Sequence, residues 1–200
     1  MHRTTWPTLK QLRIAGCGRI KIFGHEESQI HHSLFHIEKV IPQLEEVSLS
    51  HGDIAMTSDG QFKANLFCNI KFLWIYYFDE LDVFSISFLG RFYNLEILYV
   101  LSCDSKEIAS YKSSACEDKD MIITTPKIKK LRLHDVNNIR HLWKQDSPLH
   151  HMCTCLECLE VWWCDNLINL GLDLLSFENL TTLDVWKCNE MSELITSSKA

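Results

Sequence analysis

With 200 residues and 46% apolar content, the chain can bury one core or one continuous repeat core, and its composition, 23% charged and 10% aromatic, excludes intrinsic disorder. A formal net charge of −6 gives no electrostatic footing for nucleic acid or an anionic membrane surface. The nine cysteines are odd in number and sit mostly in periodic apolar settings, and there is neither a signal peptide nor a bilayer-length apolar run, so reduced thiols and a cytoplasmic location are expected.

In chain order, one template recurs: aliphatic-x-x-aliphatic-x-aliphatic. It starts at residue 9 (Leu9/Leu12/Ile14), at 44 (Leu44/Val47/Leu49), at 70 (Ile70/Leu73/Ile75) and at 95 (Leu95/Leu98/Val100). It returns at 128 (Ile128/Leu131/Leu133), at 156 (Leu156/Leu159/Val161) and at 180 (Leu180/Leu183/Val185). Leu167/Leu170/Leu172 also fits, out of phase with the rest, and reads as a chance match. The starts lie roughly 24 to 35 residues apart, the range of a short solenoid repeat. Between the first two, residues 25–43 carry Ile30, Leu34, Ile37, Val40 and Ile41 near helical spacing, which fits a convex helix. After the fourth, residues 102–125 are polar and predict an exposed loop.

The cysteines sharpen the pattern. The eighth residue after each start is Cys17, Gly52, Phe78, Cys103, Val136, Cys164 or Cys188. A second apolar slot follows at Ile20, Leu81, Ile139, Leu167 and Met191, with Ile54 one residue early and Ile108 two late. This is the L-x-x-L-x-L-x-x-C-x-x-L pattern of a leucine-rich repeat, present about seven times in a single domain over residues 1–200. The fourth and sixth motif positions are two apart, so both point to one face of a short strand. One strand cannot bury that face alone, and stacked neighbours bury it together. The predicted fold is an α/β repeat, a right-handed solenoid with a parallel concave β-sheet and an irregular, partly helical convex side.

Several segments resemble a known family. Pro126–Leu133, Asn137–Asp146 and Ser176–Cys188 are similar to repeats of plant nucleotide-binding leucine-rich-repeat disease-resistance proteins, especially the coiled-coil class, and Cys103–Ile108 and Leu194–Ser198 are similar too. The likeness runs from about Trp6 onward and is strongest from Lys127. It implies the repeat domain of an intracellular immune receptor, active in defence. The expected partners are proteins: a pathogen effector, a guarded host protein, or the receptor's own nucleotide-binding domain. The sequence departs from that family in having no G-x-x-x-x-G-K-[ST] loop and no capping segment, so a fragment is expected. The competing reading is a substrate adaptor of a ubiquitin ligase, which an F-box-like helical module would support; none is visible.

Outward motif positions carry the candidate contact residues. Four of the six tryptophans fall there, and the proposed partner-binding set is Trp74, Tyr76, Tyr99, Arg132, His134, Trp162 and Trp186. Trp74 and Tyr99 share motif position five and Trp162 and Trp186 share position seven, with Arg132 and His134 as a polar interruption between two aromatic clusters. The run His150–Cys158 superficially resembles metal ligands but lacks a second ligand pair, and His31, His32 and His36 read as surface histidines, so no metal is expected. Asn179-Leu180-Thr181 is a glycosylation sequon with no export signal to serve it. No G-x-S-x-G or H-E-x-x-H motif occurs, so no catalytic residue and no cofactor is assigned.

Overall fold

Each motif places two aliphatics on one side of a short extended segment, and a computed structural model shows how those segments pair. It describes residues 6, 8–15, 21–24, 33–50, 53, 65–78, 86–104, 108, 125–143, 148–171 and 178–194, with backbone alone at 21–24, 33–38, 77–78, 86–87, 143, 148 and 150. Seven strands form one parallel sheet: β1 (Gln11–Leu12), β4 (Glu46–Ser50), β5 (Phe72–Phe78), β6 (Ile97–Cys103), β7 (Lys130–His134), β9 (Cys158–Trp162) and β11 (Thr182–Trp186), ordered β1-β4-β5-β6-β7-β9-β11. The remaining strands form two separate parallel pairs, β2 (Lys21–Gly24) with β3 (Ser33–His36) and β8 (His141–Trp143) with β10 (Asn169–Gly171).

Register is the same at every rung. Leu12 faces Val47, then Leu73, Leu98, Leu131, Leu159 and Leu183, while Leu49 opens a second row through Ile75, Val100, Leu133, Val161 and Val185. The two rows form the floor of one hydrophobic core, closed by Phe67, Phe88, Phe92, Ile139, Leu149 and Leu167. The chain is thus a leucine-rich-repeat solenoid. Among the described residues the helical segments with defined bounds are short: α1 (Ile37–Val40), α2 (Ile86–Leu89), α3 (Pro148–Met152) and a 3-10 turn (Ile41–Gln43).

Of residues 25–43, whose spacing suggests a single convex helix, the described part 33–43 departs from it. Leu34 lies in β3, and α1 follows at Ile37. The backbone of residues 33–36 pairs with β2 of the preceding return, and that sheet bonding replaces intrahelical bonds. The apparent chance match at 167–172 also has structure: Leu167 and Leu170 are buried, and Leu170 lies in convex strand β10. Of the polar stretch 102–125, Ser102 and Cys103 complete β6 and Ile108 is buried, while 105–107 and 109–124 lie outside the described residues. Cys17, Ile20, Ile30, His31, His32, Gly52, Ile54, Leu81 and Leu172 also lie outside them.

A left-handed residue explains the cysteine slot. Strand alternation would turn the residue two past the second aliphatic back into the core. Instead Ser102, Asp135, Trp163 and Lys187, all at that motif position, have φ of 50°, 57°, 53° and 51°. This reverses the phase, and the next side chain (Cys103, Val136, Cys164 or Cys188) turns inward. The thiol there is small enough to fit and also donates to the carbonyl two residues earlier: Cys103 Sγ to Leu101 O at 3.3 Å, and Cys164 Sγ to Trp162 O at 3.6 Å.

Asparagines and charges tie successive repeats together at the strand entrances. Asn69 Nδ2 donates to Pro42 O and Asn94 Nδ2 to Cys68 O, both at 2.8 Å, and the sequon residue Asn179 does the same to Thr154 O at 3.4 Å. The second motif position reads Lys10, Glu45, Lys71, Glu96, Lys129 and Glu157, alternating in sign along one edge. Lys10 and Lys71 flank Glu45 at 3.3 and 3.4 Å, and Lys129 pairs with Glu96 at 3.4 Å. These exposed pairs add little stability each, but a like-charge neighbour would oppose any other stacking.

Burial falls off between β9 and β11. Leu159 is fully buried, whereas Leu183, one strand further, is 42% exposed. Leu159→Ala should therefore destabilise the fold by about 2–5 kcal/mol and Leu183→Ala by less than about 1 kcal/mol, measured by urea unfolding. At the left-handed position, Ser102→Gly should be neutral or stabilising by up to about 1 kcal/mol, and Ser102→Val should cost about 1–2 kcal/mol in the same assay.

Candidate functional site: the outward face of the long sheet

The outward face is built from motif positions three, five and seven, which alternate with the buried aliphatics, and from position eight, which the left-handed backbone turns outward. In-register pairing brings equivalent positions together. Trp74 stands opposite Tyr99, their rings 4.5 Å apart and nearly perpendicular, and Phe72 meets Tyr99 edge-on at 4.8 Å. Trp74 and Tyr76, on the same strand, stack at 6.0 Å. Trp162 and Trp186 are cross-strand partners.

Arg132 and His134 do not interrupt the aromatics. The Arg132 guanidinium lies 4.4 Å from the Tyr99 ring and 4.5 Å from the Trp162 ring, joining the two groups, and Arg13 sits 4.9 Å from the ring of Trp74. Both cations pack this way because the planar guanidinium is weakly hydrated and sits well on a π face. His134 packs at 4.8 Å from Trp163, which stacks on Trp186 at 6.0 Å with Lys187 above it. A continuous row of rings and cations thus crosses the sheet.

Two carboxylates hold the row in place. Glu46 accepts from Arg13 and, at 2.7 Å, from Trp74 Nε1. Glu160 accepts from Arg132 and, at 2.8 Å, from Lys130 Nζ. Both carboxylates are buried although their motif positions face outward, because the long side chains of the adjacent strands close over them. Ser48 is covered similarly and exchanges hydrogen bonds with the backbone of Ile14. Burial by itself would raise the Glu160 pKa, but the hydrogen bonds from Arg132 and Lys130 outweigh it and hold the carboxyl below its ordinary value.

Exposure separates the seven residues assigned from sequence. Tyr99 is only 7% exposed and supports the face from within. Trp74, Tyr76, Arg132, His134 and Trp162 are half-buried, and Trp186 is 55% exposed. Sequence reasoning left out Trp163, 39% exposed and stacked on Trp186, together with Arg13, Glu46, Lys130 and Glu160. All five sit at outward motif positions, so the signal was present; which of them touch is set by the register. His134 Nδ1 and Trp162 Nε1 are buried without a hydrogen-bond partner among the described residues. Among those residues no group of three or more His, Cys, Asp or Glu side chains is placed to hold a metal ion, and Cys153 is a buried core thiol whose pKa burial pushes up.

A leucine-rich-repeat solenoid presenting such a face is a protein-interaction module. The sequence matches the family of plant disease resistance protein RPS2-like leucine-rich repeats over residues 43–172, and the chain belongs to that family. It is a repeat domain of the plant immune-receptor type. No curated protein and no solved structure shows significant similarity to it. Among the described residues no helix is long and apolar enough to cross a membrane.

Replacing Glu160 leaves Arg132 and Lys130 side by side without their shared anion. Glu160→Gln should cost about 1–2 kcal/mol near neutral pH. Because the folded pKa is depressed, this contribution is complete above the ordinary carboxylate range and is lost as pH falls through the lowered value. Thermal melts of wild type and variant should therefore converge below about pH 4.

Proposed function

We propose that the outward face of the long sheet is the recognition surface of a cytoplasmic plant immune receptor, contacting a pathogen effector, a guarded host protein or the receptor's own nucleotide-binding domain, and that the domain has no catalytic role. The observation that carries this reading is the exposed Trp163–Trp186 stack, continuous with the row of rings and cations. Trp, Tyr and Arg supply most of the binding energy in protein interfaces, because they bury large area with little conformational entropy to lose. Three features support it. Glu46 and Glu160 preorganise the two arginines, so ordering them on contact costs little entropy. The orphaned nitrogens of His134 and Trp162 are groups a partner could satisfy after a small side-chain rotation. A wide parallel face suits a protein surface better than a small molecule.

The test is site-specific photo-crosslinking in plant cells, with a benzophenone amino acid at Trp186 on this face or at exposed Asn138 in the turn that follows β7. Protein adducts should concentrate at position 186, and Trp163→Ala in the same chain should weaken them by about 1–4 kcal/mol of binding without lowering the melting temperature. Equal labelling from position 138, or loss of folding in Trp163→Ala, would overturn the assignment.

A further inference from the structure

Cys164 and Cys188 occupy the same slot in successive repeats, so the solenoid stacks one thiol on the next. Backbone hydrogen bonds brace them on either side, from Trp163 N to Trp186 O (2.9 Å) and from Glu190 N to Asp165 O (3.1 Å). Cys188 Sγ lies 3.6 Å from Trp186 O and 3.6 Å from Val161 O. The second acceptor belongs to β9, so the Cys188 sulfur leans toward the neighbouring repeat, whose equivalent slot holds Cys164. The slots flanking Cys103, by contrast, hold Phe78 and Val136.

Access differs between the two sulfurs. Cys164 is buried, whereas Cys188 is half-buried and lines an open depression at the end of the sheet with Val185, Lys187, Met191 and Leu194. An attacking thiol needs exposure and a resolving thiol needs proximity, and the pair divides these requirements.

We propose that Cys188 and Cys164 form a peroxide-sensitive thiol pair, with Cys188 oxidised by a hydroperoxide and Cys164 converting the product to a disulfide. The Cys188 thiolate attacks the terminal oxygen of the hydroperoxide. An S–O bond forms, the O–O bond breaks, and the departing alkoxide or hydroxide takes up a proton from water. The Cys164 sulfur then attacks the sulfenic sulfur of Cys188. An S–S bond forms, the S–O bond breaks, and hydroxide leaves with the Cys164 proton as water. Two thiols are oxidised and one hydroperoxide is reduced. Interaction with the Cys164 side chain, with a backbone hydrogen bond from Cys164, lowers the Cys188 pKa to about 7 against the opposing effect of burial. A thiol titrating near ambient pH combines thiolate population with nucleophilicity. The bond would clamp β9 to β11 beneath Trp162 and Trp186, covalently fixing the end of the sheet.

The full chain, reduced and then treated with hydrogen peroxide at about pH 7.5, should lose two hydrogen atoms in mass. A non-reducing tryptic map should join the peptide of residues 145–187 to that of residues 188–199, with fragmentation placing the bond at Cys164. Dithiothreitol should reverse it. Cys188→Ser should abolish the link, and Cys164→Ala should leave a sulfenic acid at Cys188 that dimedone traps. The rate should rise with pH to a plateau, with its midpoint about 7. Unchanged mass with Cys188 still fully alkylatable, a bond to Cys153, Cys155 or Cys158 instead, or direct passage of Cys188 to the sulfinic acid would overturn the proposal. The wild-type map decides this even if a variant fails to fold.

Discussion

Every other feature of this molecule depends on the lockstep register of a parallel sheet in which no strand can bury its own apolar face. A five-residue strand presents two aliphatic side chains to the core, too few to offset the entropy of ordering the repeat around them. Stacking supplies the rest. Each of Leu98, Leu131 and Leu159 is covered by its counterparts on either side and by the convex return beneath. Shifting one strand by a residue would turn its aliphatics outward, so the core enforces the register strongly. The alternating lysines and glutamates at the strand entrances favour the same alignment through charge.

The strand ends carry a second constraint. The chain must leave the sheet within a residue or two to begin its return, and a left-handed backbone position achieves this at Ser102, Asp135, Trp163 and Lys187. Residues other than glycine carry a conformational cost there. The inward thiol that follows offsets part of it by filling the core and donating to a strand carbonyl. The same geometry makes Trp163 prominent: a left-handed backbone at the end of β9 leaves its ring exposed and in contact with Trp186 and His134. A structural turn and a candidate contact residue therefore occupy one position.

On the outward face, register turns isolated motif positions into a connected surface. An arginine between two aromatic strands could have been a polar break. The Glu160 carboxylate instead fixes Arg132 between the rings of Tyr99 and Trp162, so charge and aromatic area become one surface. Membership in the resistance-protein repeat family accords with such a face, since that architecture presents a long row of side chains to a partner.

The sequence by itself determined the repeat, the two buried aliphatic rows, the recurrence of cysteine at one slot and the outward direction of motif positions three, five and seven, because these follow from a period of two within the strand and a recurring motif along the chain; the left-handed residue that turns the cysteine inward emerged only in the structure. Only the tertiary structure decided how deeply each outward residue sits and what it touches. Leu159 and Leu183 hold the same motif position, yet one is fully buried and the other half open, because Leu159 is flanked by paired strands on both sides and Leu183 on one. Tyr99, outward by pattern, is covered by Phe72, Trp74 and Arg132 from the flanking strands. Leu34 has helical spacing to its neighbours but lies in a strand, since its backbone found a partner in the preceding return. Local pattern sets the direction in which a side chain points; adjacent strands, distant in sequence, determine what lies there to meet it.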